Sequence, residues 1–210
     1  MTKAELEAQV RMLIGHRLKR VAYTKLSYDS WDAYPDLFED CVLQIVLDTE
    51  SGDRFFCSWS TETSMDYGVS LGRAPYYETV VLRPAPGPEA SDGLHTVDVS
   101  ERSGWQPFLH DPIVDVRVHW LETTSYEVGQ AAMGKWRQGE EVVLSDDLLN
   151  GCVSASPQDL EIVFESGRSI MVSAASYNEA LDTLQPMMDE LVVIFRPEVA
   201  ARYDVGRPAP

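Results

Sequence analysis

Basic residues are scarce in this sequence: 17 Lys and Arg stand against 34 Asp and Glu, for a formal net charge of −17. Binding to nucleic acid needs cations against the phosphates, so this balance excludes an ordinary nucleic-acid interface and favours a basic protein partner. Long apolar runs are also missing. Nothing approaches the roughly 20 residues of a membrane helix, and MTKAELEAQV at the N-terminus has no apolar signal-peptide core. The expectation is a cytoplasmic, bacterial-type protein with no membrane role. Cysteine is limited to Cys41, Cys57 and Cys152, an odd number without metal-ligand spacing. Cys57 falls on the apolar face of its segment and reads as a buried hydrophobe, while Cys41 could face it as a second reduced thiol.

Chemistry-bearing motifs are few. The four histidines, His16, His95, His110 and His119, form no compact ligand motif, and no GxxxxGK[ST] or GxGxxG phosphate loop occurs. Gly68-Val69-Ser70-Leu71-Gly72 has the spacing of a nucleophile elbow, but no buried strand precedes it and Arg73-Ala74-Pro75 follows where a helix should begin. Adjacent acids such as Glu140-Glu141, Asp146-Asp147 and Asp189-Glu190 point apart on a strand, whereas a glycosidase needs two carboxylates held across a cleft. No catalytic residue, metal site or cofactor is assigned, and an enzyme is the less favoured class.

What is present is β-structure. With 210 residues and 44% hydrophobic composition the chain can fill a sizeable core. From Leu43 to Trp59 apolar and polar residues alternate, so Leu43, Ile45 and Leu47 share one face, as do Phe55, Cys57 and Trp59 after a turn at Gly52. That is a β-hairpin, and Leu160 to Ala174 repeats it with Leu160, Ile162, Phe164, Ser166-Gly167, Ile170 and Val172. The second copy lacks counterparts of Thr49 and Glu50, which predicts a tighter turn. Upstream, residues 13–23 align with 108–118. The expected fold is α+β, mainly antiparallel sheet built from two pseudo-repeats, residues 1–93 and 94–210, in one compact unit.

Elsewhere, Thr2-x-x-Glu5 and the spacing of Leu6, Val10, Leu13 and Ile14 predict a helix over 3–14. The first 25 residues hold Lys3, Arg11, Arg17, Lys19, Arg20 and Lys25, a basic surface that suits docking onto acidic groups of this chain or another. Residues 66–72 and 76–82 read as extended, 83–93 as a Pro/Gly-rich loop, and His95–Val99 as a short strand. Residues 125–141 read as an insertion around Gly129, Gly134 and Gly139, 178–184 as a short helix, 191–195 as a buried strand, and 197–203 as a last helical turn.

The densest charge feature runs from Asp29 to Asp53, where eight acids occur without one Lys or Arg. Within it Pro35 disfavours helix at Tyr34, so Trp31 to Phe38 reads as a loop. Aromatic anchors ringed by acids suit an interface with a basic partner, and the partner-binding candidates are Trp31, Asp32, Tyr34, Asp36, Phe38, Glu39 and Asp40.

The segments LIGHRLKRV, LDTESGDRFFCSW, DLEIVFESGRSI and DELVVIF together resemble small bacterial proteins similar to the immunity proteins of polymorphic-toxin systems. That resemblance implies an acidic, cytoplasmic toxin inhibitor acting by protein binding. Two further readings stay open. One is a small-ligand binder or enzyme with a pocket between the pseudo-repeats, walled by Trp59, Tyr67, His95, Trp105, His119 and Trp120. The other is a structural subunit of a larger complex.

Overall fold

The structure is a computed structural model and describes residues 3–26, 33–34, 38–60, 79–84, 94–128 and 149–206. In chain order these form α1 (Lys3–Val10), β1 (Leu18–Leu26), β2 (Ala33–Tyr34), β3 (Phe38–Val42), β4 (Gln44–Thr49), β5 (Arg54–Ser60), β6 (Thr79–Pro84), β7 (Leu94–Asp98), β8 (Ile113–Val128), β9 (Leu149–Phe164), β10 (Ser169–Asn178), β11 (Thr183–Ile194) and α2 (Pro197–Arg202). Two sheets result, β6-β5-β4-β1-β7 and β2-β3-β11-β10-β9-β8. Their strand pairings are antiparallel, and the protein is α+β with sheet predominating. Among the described residues, no helix is long and apolar enough to cross a membrane.

Alternation puts one face of each sheet into a shared core. Val21, Tyr23, Ile45, Leu47, Phe55 and Cys57 of the first sheet meet Val116, Leu160, Ile162, Ile170, Val172 and Leu191 of the second. Each buried Leu or Ile contributes about 1.5–3 kcal/mol relative to leaving it exposed. Leu6 and Val10 bring α1 onto the same core. The second sheet is covered on its other face as well, because Val192 and Ile194 pack with Phe38, Ala175 and the α2 residues Val199 and Ala200. Burial on both faces explains why β11 reads as a continuous apolar run, Leu191-Val-Val-Ile194, and not as an alternating one.

Both expected hairpins form, with the same turn. Thr49 N–H donates to Asp53 O and Gly52 N–H to Thr49 O; Phe164 N–H donates to Arg168 O and Gly167 N–H to Phe164 O. Gly52 and Gly167 have φ of 94° and 79°, which glycine adopts without a Cβ penalty. The expectation of a tighter second turn is therefore corrected: Thr49 and Glu50 have structural counterparts in Phe164 and Glu165, and the two turns carry the same hydrogen bonds. Correspondence continues upstream, where the 3-10 turns Arg11–Leu13 and Gln106–Phe108 each precede a positive-φ residue, Gly15 and His110. Gly15 N–H donates to Ile113 O and His110 N–H to Leu18 O, both at 2.8 Å, so the segments leading into β1 and β8 bond to each other reciprocally. The strand order β6-β5-β4-β1 in one sheet matches β11-β10-β9-β8 in the other. Strands also cross between the halves: β2 and β3 join the second sheet and β7 pairs with β1.

Three local expectations are corrected. Residues 33–34 form a short edge strand within the stretch read as a loop, and Phe38 at its end opens β3, which pairs between β2 and β11. Residues 125–128 continue β8, paired with 149–152, where an insertion was expected. Residues 178–184 are the end of β10, a turn at 179–182 and the start of β11, not a helix, and the Tyr177 and Tyr203 hydroxyls and Arg202 all donate to Asp182, whose own φ is 49°. Tertiary hydrogen bonds there override helix propensity.

Candidate functional site

The acidic stretch divides once it is folded. Asp48 accepts from Arg54 Nε at 2.5 Å and Arg20 Nη1 at 3.0 Å, and Arg20 Nε also donates to Asp98 at 2.6 Å. These arginines hold the Asp48 carboxyl below the usual range, Arg54 foremost. Glu50 lies 2.6 Å from His110 Nδ1, and Asp53 lies 3.8 Å from His16 Nδ1. Glu39 accepts from the Tyr23 hydroxyl at 2.6 Å and pairs with Arg102 at 3.3 Å. Phe38 is 2% exposed and packs edge-on to Tyr177 and Tyr203 in the core on the outer face of the second sheet. Two of the seven partner-binding candidates, Phe38 and Glu39, thus have interior roles. Tyr34 and Asp40 are placed on β2 and β3 by backbone alone, and Trp31, Asp32 and Asp36 lie outside the described residues.

The N-terminal basic residues are partly consumed by the chain itself. Besides the Arg20 pairs, Arg17 Nη1 donates to His110 O at 2.6 Å. Among the described residues no cluster of three or more His, Cys, Asp or Glu could hold a metal ion. The Gly68–Gly72 elbow spacing lies outside the described residues. Cys57 is buried, and desolvation pushes its thiol up to about 12, which makes it unreactive as a nucleophile. Of Cys41 and Cys152 only the strand positions are described.

Among the described residues, core side chains pack the space between the sheets, where a pocket between the halves was expected. Trp105 is fully buried, its ring 5.2 Å from Phe195. Its Nε1 donates to Tyr23 Oη at 2.6 Å. His119 Nε2 sits 3.1 Å from Glu161 on the neighbouring strand, and His95 is exposed on edge strand β7. Trp120 packs against the core, Trp59 is placed on β5 by backbone alone, and Tyr67 lies outside the described residues.

A cavity of about 560 Å³ opens elsewhere, lined by Phe38 and Glu39 of β3, residues 102–104 and 107–108 of the β7–β8 connection, Arg168 of the second hairpin, and Phe195-Arg196 after β11. Its apolar part is aromatic: Phe108 and Phe195 lie 6.1 Å apart at 30°, and Phe108 packs on Phe164 at 4.9 Å. Gly104 lets Phe195 approach, since a Cβ there would lie 2.5 Å from the ring. Arginines supply its polar part. Arg168 lies 5.5 Å over the Phe108 ring, and Asp111 is 4.0 Å from its guanidinium. Arg196 is likewise 4.0 Å from Glu198. Beneath Glu39, the relay from Trp105 through the Tyr23 hydroxyl ends on its carboxylate. Burial, and then the Glu39 charge, raise the Tyr23 pKa well above normal, so that hydroxyl remains a donor.

Sequence reasoning missed Arg102, Arg168 and Arg196 because no spacing rule links them. The one available signal was the contrast between Asp53 and Arg168, the residues that follow the glycine in the two hairpins. No protein-family model, curated protein or solved structure matches this chain.

Proposed function

We propose that the chain acts by binding, as an acidic inhibitor that docks a basic protein in the manner of toxin-immunity proteins. The observation that supports this reading is the internal use of its cations. Arg20, Arg54, Arg102, Arg117 and Arg202 each pair with carboxylates of the same chain. The surplus behind the net charge of −17 is therefore left to solvent or a partner. Within the acidic stretch, Glu39, Asp48, Glu50 and Asp53 face groups of this chain. We propose Trp31, Asp32, Tyr34, Asp36 and Asp40, on the sequence pattern alone, as the docking residues.

Charge would speed encounter, while Trp31 and Tyr34 would supply the desolvated contacts. Replacing Asp32, Asp36 and Asp40 with Asn tests this assignment in capture from a host lysate. The expected result is about tenfold weaker retention of a basic protein at low salt and a flatter salt dependence. Glu39→Gln, by contrast, lowers folding stability and leaves capture unchanged. Equal retention by the triple variant and the wild type would overturn the site.

A further inference from the structure

The cavity between β3, the β7–β8 connection and the second hairpin is an anomaly in this molecule. In a chain with twice as many acids as bases, three guanidiniums, Arg102, Arg168 and Arg196, line one cavity with a single carboxylate among the described residues, Glu39. Like charges repel when gathered, and the acids near two of them are only loosely engaged, at 4.0 Å. Arg168 and Arg196 are about half exposed at the mouth, at 52% and 48%, and carry donors beyond those their neighbours use.

From this geometry we propose that the cavity binds a small organic dianion, two carboxylates or a phosphate monoester carried on a flat apolar body. Size fits, because about 560 Å³ falls inside the roughly 300–1,000 Å³ of small-molecule sites. The planar forks of arginine match carboxylate and phosphate oxygens two at a time. Phe108 and Phe195 offer an apolar wall for the body, and Gly104 fixes how near Phe195 can stand. Glu39 already engages Arg102, and Asp111 and Glu198 stand only at the 4.0 Å limit from Arg168 and Arg196, so a ligand with two anionic groups, one for each of the two mouth guanidiniums, suits the cavity better than a neutral ring. The site is independent of the acidic docking surface and stands or falls by itself.

Calorimetric titration of the full chain with phenyl phosphate, phthalate, inorganic phosphate and benzyl alcohol tests the proposal. Phenyl phosphate and phthalate are expected to bind, the tighter of the two assigning the phosphate or the dicarboxylate class. Inorganic phosphate and benzyl alcohol should each bind at least about tenfold more weakly, lacking one half of the recognition. Arg168→Gln and Arg196→Gln, both at the exposed mouth, should each weaken the better probe about tenfold while the thermal midpoint stays within a few degrees. No binding by either organic dianion, equal binding of inorganic phosphate, equal binding of benzyl alcohol, or full affinity in both variants would overturn it.

Discussion

The two hairpins are the same backbone device in opposite charge. At the first, His16 and Asp53 lie 3.8 Å apart beside the β4–β5 turn; at the second, Asp111 and Arg168 take the corresponding places, 4.0 Å apart, beside the β9–β10 turn. Ser51 and Ser166 both bond within their turns. What differs is the neighbour. The Arg168 guanidinium reaches over Phe108, whereas the matching 3-10 turn of the first half ends in Leu13, a buried core residue with no ring to cover. A shared frame thus fixes where a side chain starts, and one change of charge decides whether that place is an ordinary surface contact or the wall of a cationic cavity.

The likeness of the two hairpins can be challenged first at the core. Leu47 and Ile162 occupy equivalent inward positions, and Leu47→Ala and Ile162→Ala should each cost about 2–5 kcal/mol in urea unfolding. A loss below about 1 kcal/mol at one site alone would mean that the sheets do not share one core. Next come the turns. Gly52→Ala and Gly167→Ala meet no atom within 4 Å, so their cost is the backbone strain of a positive φ, about 1–2 kcal/mol in each case. Clearly unequal losses would show that the turns are less alike than their hydrogen bonds.

A third contrast is in pH. The folded pKa of Asp48 is lowered, chiefly by Arg54, so its contribution is present above the unfolded value near 3.9 and is lost as pH falls through the lower folded value. Asp48→Asn should therefore cost about 1 kcal/mol at pH 7 and little at pH 2. Asp159 behaves oppositely. Burial raises its pKa, although Ser173 Oγ donates to it at 2.6 Å and Gly206 N–H at 2.8 Å. Its charged form is disfavoured in the folded state, so stability from this group falls as pH rises from the unfolded value through the raised folded one. Asp159→Asn should flatten that slope in melts taken between about pH 4 and 7. A steeper slope in the variant would contradict the assignment.

How much of this was legible depended on whether the signal was local. Ile45, Leu47, Phe55 and Cys57 declared their face by period two, and Gly52 and Gly167 marked the turns, because a strand's burial and a positive φ are both written within a few residues. The apolar run 191–195 likewise announced a buried strand, which ends at Ile194. Residues 178–184 were misread because the groups that fix the turn, Tyr203 and Arg202, come from α2 and its C-terminal end. Ser125–Val128 were misread because the glycines that follow hid a partner strand at 149–152. The cavity was illegible for the same reason: β3, the β7–β8 connection, a hairpin and the end of β11 meet only through sheet order. From the sequence Phe38 was read as an aromatic anchor for a partner and Glu39 as one of the acids around it, yet here Phe38 enters a core and Glu39 meets Tyr23 and Arg102.

The functional reading rests on binding of a basic protein, and affinity capture from the host lysate is its plainest test. The tagged chain is held at low salt and at about 0.5 M salt, where screening shortens to a few ångströms. Retained proteins are identified by mass, and their activity is assayed with and without added chain. One basic protein is expected, held at low salt, released at high salt and inhibited at stoichiometric amounts. Capture of no basic protein under either condition, or of one whose activity the chain leaves untouched, would contradict the inhibitor role.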